Sequence, residues 1–166
     1  MHIGSSSTQP TTSDDAPGLL KLTNNYTNSS LSLSDWLLSG VFERFPGLRI
    51  AFAEAQAGWI PYLVTHLDRG WERGDPYLYS EHVPRTPQPP SKYLADHVFV
   101  CVYDDPIAMD HLDLIGADNI CFETDYPHPD GSWPNSRSVA ERQTENLSPE
   151  LRDKVLRHNG LRMLGL

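Results

Sequence analysis

Residues 122–134, FETDYPHPDGSWP, crowd Glu123, Asp125, His128 and Asp130 into one short stretch directly after the apolar run NICF. A carboxylate fixed where a strand ends is a sound metal ligand or general base, because the strand sets its position. Asp125 fits that description. The competing reading is an Asx hydrogen bond that caps the turn opened by Tyr126-Pro127. His128 reads either as a substrate-contacting group or as a solvated loop imidazole. Glu123 alternates with Asp125, so the two share one side of the strand. Glu54 ends a second apolar run, LRIAFAE, and precedes the small residues Ala55, Ala57 and Gly58, which permit close approach. It suits a base, an acid or a supporting partner, or else a carboxylate capping the helix that starts near Trp59. By pattern alone His2 is a mobile terminal residue. The histidines at 66, 82, 97, 111 and 158 read as structural or solvated, and no two sit at H-x-H or H-x-x-x-H spacing. There is no P-loop, G-x-G-x-x-G or nucleophile elbow.

These residues need elements to hold them. HIGSSSTQPTTSDDAPG is polar and turn-rich after only two or three strand-like residues. In LSLSDWLLSGVFERFPG, Leu33, Trp36, Leu37, Leu38, Val41, Phe42 and Phe45 recur at helical spacing, with Ser32 or Ser34 as N-cap and Pro46-Gly47 as the stop. LRIAFAE is a buried strand, and GWIPYLVTHLDRGWER a helix that tolerates Pro61 in its first turn. Residues 74–92 are proline-rich without apolar periodicity and predict an irregular loop. HVFVCVY is a strand; DPIAMDHLDLIG is a helix capped by Asp104-Asp105 and stopped at Gly116; NICFETD is a strand. WPNSRSVAERQTENL and SPELRDKVLRHNGLRML complete the chain as helices, the last capped by Ser148 with Pro149 at its first position. The order β–α–β–α–β–α–α, with strands apolar on both faces, predicts a helix-covered parallel sheet of the α/β class. In such sheets chemistry gathers at the carboxyl ends of the strands. Here those ends carry Glu54, Tyr103-Asp104-Asp105 and Glu123 to His128.

At 166 residues the chain can bury one modest core. Acidic residues outnumber basic ones 22 to 13 and the basic ones do not cluster, which argues against nucleic acid or an anionic membrane as partner. Cys101 and Cys121 lie in apolar strand-like runs and are expected as buried free thiols. No apolar run is long enough to span a bilayer, and the first residues lack the pattern of a signal peptide, so a cytoplasmic location is expected.

The segments SLSDWLLSGVFERFPGLRIAFAEAQAGWIPYLVTHLDR and NICFETDYPHPDGSWPNS resemble the amidohydrolase-related family of metal-dependent TIM-barrel enzymes. The likeness is to the branch that includes aminocarboxymuconate-semialdehyde decarboxylase. It implies an α/β fold, specifically the C-terminal half (strands five to eight) of a (β/α)8 TIM barrel, with residues 1–166 forming one partial domain. By that resemblance HIGSSS is strand five, LRIAFAE strand six, HVFVCVY strand seven and NICFETD strand eight. Asp125 then matches the metal-facing aspartate, His2 the histidine ligand of strand five, and Glu54 stands where many relatives carry a catalytic histidine. The H-x-H pair of a first strand has no counterpart.

The resemblance implies a metal-dependent lyase or hydrolase: decarboxylation, or C–C or C–N hydrolysis, of a small carboxylic acid. Asp125 and Glu54 are the expected catalytic residues, and His2 and Asp125 the expected ligands of a divalent metal, zinc first and manganese second. His128 and Trp59 are assigned to substrate binding. Two ligands fall short of the three protein ligands of a catalytic zinc, so the alternative is a catalytically inactive fragment acting at most as a binding or structural partner. The open sheet edges also suggest a homodimer in which two copies close one barrel.

Overall fold

The computed structural model describes residues 1–2 and 10–166. Helices α1 (Gly18–Thr23), α2 (Tyr26–Leu38) and α3 (Val41–Arg44) precede strand β1 (Ile50–Phe52). Helix α4 (Ile60–Arg73), a 3-10 turn at Pro76–Leu78 and α5 (Pro90–His97) lead into β2 (Val98–Val102). Helices α6 (Pro106–Asp110) and α7 (Leu112–Ile115) lead into β3 (Ile120–Phe122), and α8 (Ser136–Gln143) follows. Helix α9 (Pro149–Asp153), a π-helical turn (Lys154–His158) and α10 (Asn159–Leu164) then form one helical rod.

The sheet is parallel and runs β1–β2–β3, with Ala51 opposite Phe99 and Cys101 opposite Cys121. Beyond β1 the chain start extends it: His2 bridges Ala53 in parallel, and the Met1 amine donates to the Ala51 carbonyl at 2.7 Å. The rest of the segment expected as strand five, from Ile3 to Ser7, lies outside the described residues.

All five residues of β2 are buried, as a strand covered on both faces requires. Val98, Val100 and Val102 pack with Leu33, Leu37, Ile60 and Leu112 beneath the helices. Phe99 and Cys101 face the other way, with Cys121 and Met163. Both cysteines are free and buried. Each large apolar side chain in the first cluster contributes about 2 kcal/mol by leaving water.

Several predicted boundaries move. The helix expected from Ser32 starts six residues earlier, at Tyr26, so Ser32 and Ser34 are interior; the Ser34 hydroxyl donates to the Ser30 carbonyl at 2.8 Å instead of capping. That helix breaks at Gly40, which adopts φ +71°, a conformation that glycine adopts without a Cβ clash. The irregular loop ends before residue 92, because Pro90 opens α5; the Ser91 amide, an orphan of that first turn, donates to Asp68 of α4 at 2.9 Å. The helix expected over 105–116 divides at His111 (φ −126°), and the helix expected over 133–147 shortens to α8. Pro61 does sit in the first turn of α4, and Asp105 and Ser148 cap α6 and α9 by accepting from Ala108 N at 3.0 Å and Leu151 N at 3.3 Å. None of the described helices is long and apolar enough to cross a membrane.

The amino-terminal ends of the strands are closed by side chains bonded to backbone. Asn119 Nδ2 reaches the carbonyls of Leu94 (3.2 Å), Ala95 (3.1 Å) and Val98 (2.5 Å). Asn159 Nδ2 donates to Ala117 and Ile120 carbonyls, both at 2.7 Å, tying the terminal rod to β3. His97 Nδ1 lies 2.8 Å from the Leu48 carbonyl, with its ring stacked on Phe42 at 4.3 Å.

Candidate active site

The opposite, carboxyl ends of the strands open into a cleft of about 660 Å³ lined by His2, Glu54, Gln56, Trp59, Tyr103, Asp125, His128 and Asp130, among others. That volume suits a small molecule. Every residue expected in the site (His2, Glu54, Trp59, Asp125 and His128) lines this one cleft.

The backbone there is strained. Among the described residues, the non-glycine positions with positive φ are Glu54 (+60°), Gln56 (+51°) and Asp125 (+53°), and all three line the cleft. A left-handed non-glycine residue costs on the order of 1 kcal/mol and persists only where its surroundings enforce it. For the 54–58 turn the enforcing group is Asp105. Its Oδ2 accepts from the amides of Ala57 (2.6 Å) and Gly58 (2.8 Å), while Oδ1 holds Ala108 N. Asp105 thus holds the turn that leads into α4; the helix itself has no side-chain cap among the described residues, and the Glu54 carboxylate considered for that role lines the cleft instead. The fit is close: a Cβ on Gly58 would meet Asp105 Oδ1 at 3.0 Å. Gln143 of α8 fixes the same strand end, accepting from Asp105 N and donating to the Tyr103 carbonyl, both at 2.6 Å.

After β3 the chain folds back on itself. Ser132 N donates to the Thr124 carbonyl at 3.1 Å, and His128 N to the Asp125 carbonyl at 2.7 Å. A Cβ on Gly131 would meet the Thr124 carbonyl at 2.6 Å, so only glycine closes this loop. The side-chain cap of the turn comes from Thr124, whose Oγ1 accepts from Tyr126 N at 3.4 Å. The Asp125 carboxylate is thus not spent on an Asx turn.

Two imidazole–carboxylate pairs result. His2 Nε2 lies 2.5 Å from Glu54 Oε1, and His128 Nδ1 lies 3.1 Å from Asp125 Oδ2; the carboxylates are 17% and 15% exposed and the imidazoles more than half exposed. Beneath them Glu123 Oε1 accepts from Glu54 N at 2.6 Å. Burial, together with the charges of Glu54 and Asp125, pushes the Glu123 carboxyl up to about 7, against the pull of that amide. Tyr103, on the middle strand's end, projects between the two turns. Its hydroxyl lies 3.5 Å from Asp130 Oδ2, and burial and Asp130 raise the phenol above its ordinary value while the Gln56 side chain acts in the opposite sense.

Trp59 donates from Nε1 to the Ala55 carbonyl at 2.9 Å and lies 6.3 Å from the Tyr26 ring, so it forms an aromatic wall. The cleft also carries Asp104 and Asp105, and among the described residues no lysine or arginine lines it. Yet among the described residues no three His, Cys, Asp or Glu side chains come together as a metal site. His2 and Asp125 carry side chains of a type that binds metals and line the same cleft, and among the described residues they do not complete a centre. Tyr103 and Glu123 were visible in sequence only as polar strand ends. Gln56 carried no signal, because its significance lies in a backbone angle.

The family described as amidohydrolase matches residues 25–166. A curated 2-amino-3-carboxymuconate-6-semialdehyde decarboxylase from Dictyostelium discoideum is 26% identical over 137 residues, covering 82% of this chain and 36% of that protein. Among solved structures, an amidohydrolase from Mycobacterium avium subsp. paratuberculosis K-10 superposes with a TM-score of 0.73 at 23% identity, over 90% of this chain and 36% of that one. A 5-carboxyvanillate decarboxylase from Novosphingobium aromaticivorans, complexed with manganese and 4-hydroxy-3-methoxy-5-nitrobenzoic acid, superposes with a TM-score of 0.70 at 19% identity, over 95% and 47%. The chain thus spans well under two thirds of the length of these proteins, and its parallel α/β architecture is that of part of their barrel. With its match from residue 25 to the end and its sheet carrying the polar residues at the expected strand ends, the chain belongs to the amidohydrolase family.

Proposed function

We propose that this chain supplies the carboxyl-terminal part of the active site of a decarboxylase or hydrolase for a small carboxylic acid, with a divalent metal as cofactor. The observation that carries the reading is the convergence of Glu54, Asp125, His2, His128 and Trp59, from the segments after β1 and β3 and from the chain start, on one cleft. Either reaction needs a positioned carboxyl group. Decarboxylation returns a proton to the carbon that loses carbon dioxide; hydrolysis takes one from the attacking water. In this reading Asp125 and Glu54 do this work, and each has one carboxylate oxygen beside an imidazole. His128 and Trp59 form the substrate-facing wall. In this reading His2 and Asp125 are metal ligands, with zinc the first candidate and manganese, the ion bound by the neighbouring decarboxylase, the second. Two ligands do not make a catalytic centre, so the described residues fit only part of one, and the proton steps above rest on the carboxyl groups alone.

Metal analysis of the purified chain after incubation with zinc or manganese tests the proposal. Stoichiometric metal that is lost in His2→Ala and in Asp125→Ala supports it. Metal retained in both variants rules out His2 and Asp125 as its ligands, and none bound in any form favours an inactive fragment. Size-exclusion chromatography with light scattering asks whether a second copy completes the ligand set; a well-folded monomer that binds metal excludes that arrangement.

A further inference from the structure

Gln56 has features that the roles assigned above leave unused. Its Oε1 is a buried side-chain oxygen without a hydrogen-bond partner among the described residues, a condition that costs about 1–3 kcal/mol. Its backbone is held at φ +51° by a turn that Asp105 clamps, so the chain sustains strain to place this amide at the cleft wall. Tyr103 lines the same cleft, and its hydroxyl donates to Asp130 Oδ2 at the long limit of 3.5 Å. The Tyr103 backbone is fixed by Gln143 at 2.6 Å. One side therefore offers a loosely engaged O–H donor, and the other an acceptor that lacks a donor.

We infer that Tyr103 and Gln56 act together as a specificity-determining pair, reading a substituent of the carboxylic acid substrate that both accepts and donates a hydrogen bond, a hydroxyl or amino group. Tyr103 donates to that group, and the group donates to Gln56 Oε1. The terminal torsion of a glutamine is soft, so the amide turns into the cleft at little cost when a donor arrives. The inference rests on the carboxylic-acid reading above and adds the residues that select among such acids.

The test compares binding of three probes (2-hydroxybenzoate, 2-methoxybenzoate and benzoate) to the full chain by calorimetry, with manganese present. A site built around a hydroxyl rejects an analogue that cannot donate, so the hydroxy acid binds at least about tenfold more tightly than its methyl ether. Tyr103→Phe and Gln56→Gly each bring that ratio to within about twofold. Glycine is chosen at 56 because it accepts the positive φ and preserves the turn. A merely structural role would move all three probes together. Equal affinities for hydroxy and methoxy acids in the unaltered chain, or a ratio that survives both substitutions, overturns the inference and leaves the carboxylic-acid reading standing. Failure of all three probes to bind overturns that reading and this inference with it.

Discussion

The two ends of the sheet treat the same side chain, a carboxamide, in opposite ways. At the amino-terminal end Asn119 and Asn159 are buried and direct their amides to backbone carbonyls of neighbouring segments. At the carboxyl end Gln56 sits on a left-handed backbone with its Oε1 unpaired. One end is satisfied and relaxed; the other holds strain, paired imidazoles and carboxylates, and an unmatched acceptor. The contrast separates groups that hold the fold from groups proposed to meet a ligand, and it can be broken by measurement.

The largest effect is expected at the satisfied end. Asn119→Ala strips donors from up to three carbonyls and lowers unfolding free energy by about 3 kcal/mol, read from urea melts; a loss below about 1 kcal/mol would show that the carbonyls find other partners. Next comes Asp105→Ala, which releases three amides of the 54–58 turn and of α6 at about 2 kcal/mol. It also loosens Glu54 and Gln56, so metal and probe binding should fall with stability. Gln56→Gly reverses the sign: relief of the positive φ raises stability by about 0.5–1 kcal/mol. A destabilised variant would mean that Gln56 holds the fold after all, and the contrast between the two ends would fail.

The smallest effect is on the surface of the satisfied end, where Lys154 Nζ lies 2.7 Å from Asp118 Oδ1. That hydrogen bond depresses the Asp118 carboxyl below its ordinary value. A depressed carboxyl contributes stability above its unfolded pKa and loses it as the pH falls through the folded one. Stability should therefore decline slightly below about pH 4, by a few tenths of a kcal/mol for so exposed a pair. Lys154→Met should flatten that part of the profile; an unchanged acid limb would assign it to other carboxyls.

Much of the fold was legible because burial writes itself into sequence: VFVCV and NICF are apolar on both faces, and strands covered on both sides must be. The cleft was legible where a polar residue followed such a run, as with Glu54 and Asp125. Helix α2 was placed late because its first turns, YTNSSLS, carry little apolar periodicity and are held by packing. Helix α5 was hidden among prolines, since a proline at a first helical position looks like a loop residue until the Asp68 cap is seen. Gln56 was invisible for a different reason. Side-chain type does not encode a left-handed backbone, which here is imposed by Asp105, 49 positions further along.

Cys101 and Cys121, the only cysteines in the sequence, stand directly opposite each other at the centre of the sheet, 6% and 3% exposed. A thiol reagent in solution reaches them only when the packing over that face of the sheet, Met163 included, opens. The chain therefore carries its own clock for that opening. The rate at which an Ellman-type reagent titrates the two sulfurs reports the free energy of that opening without any introduced label. Run with and without metal or a carboxylic acid, the same trace converts ligand occupancy at the strand ends into a slowing of labelling at their middle.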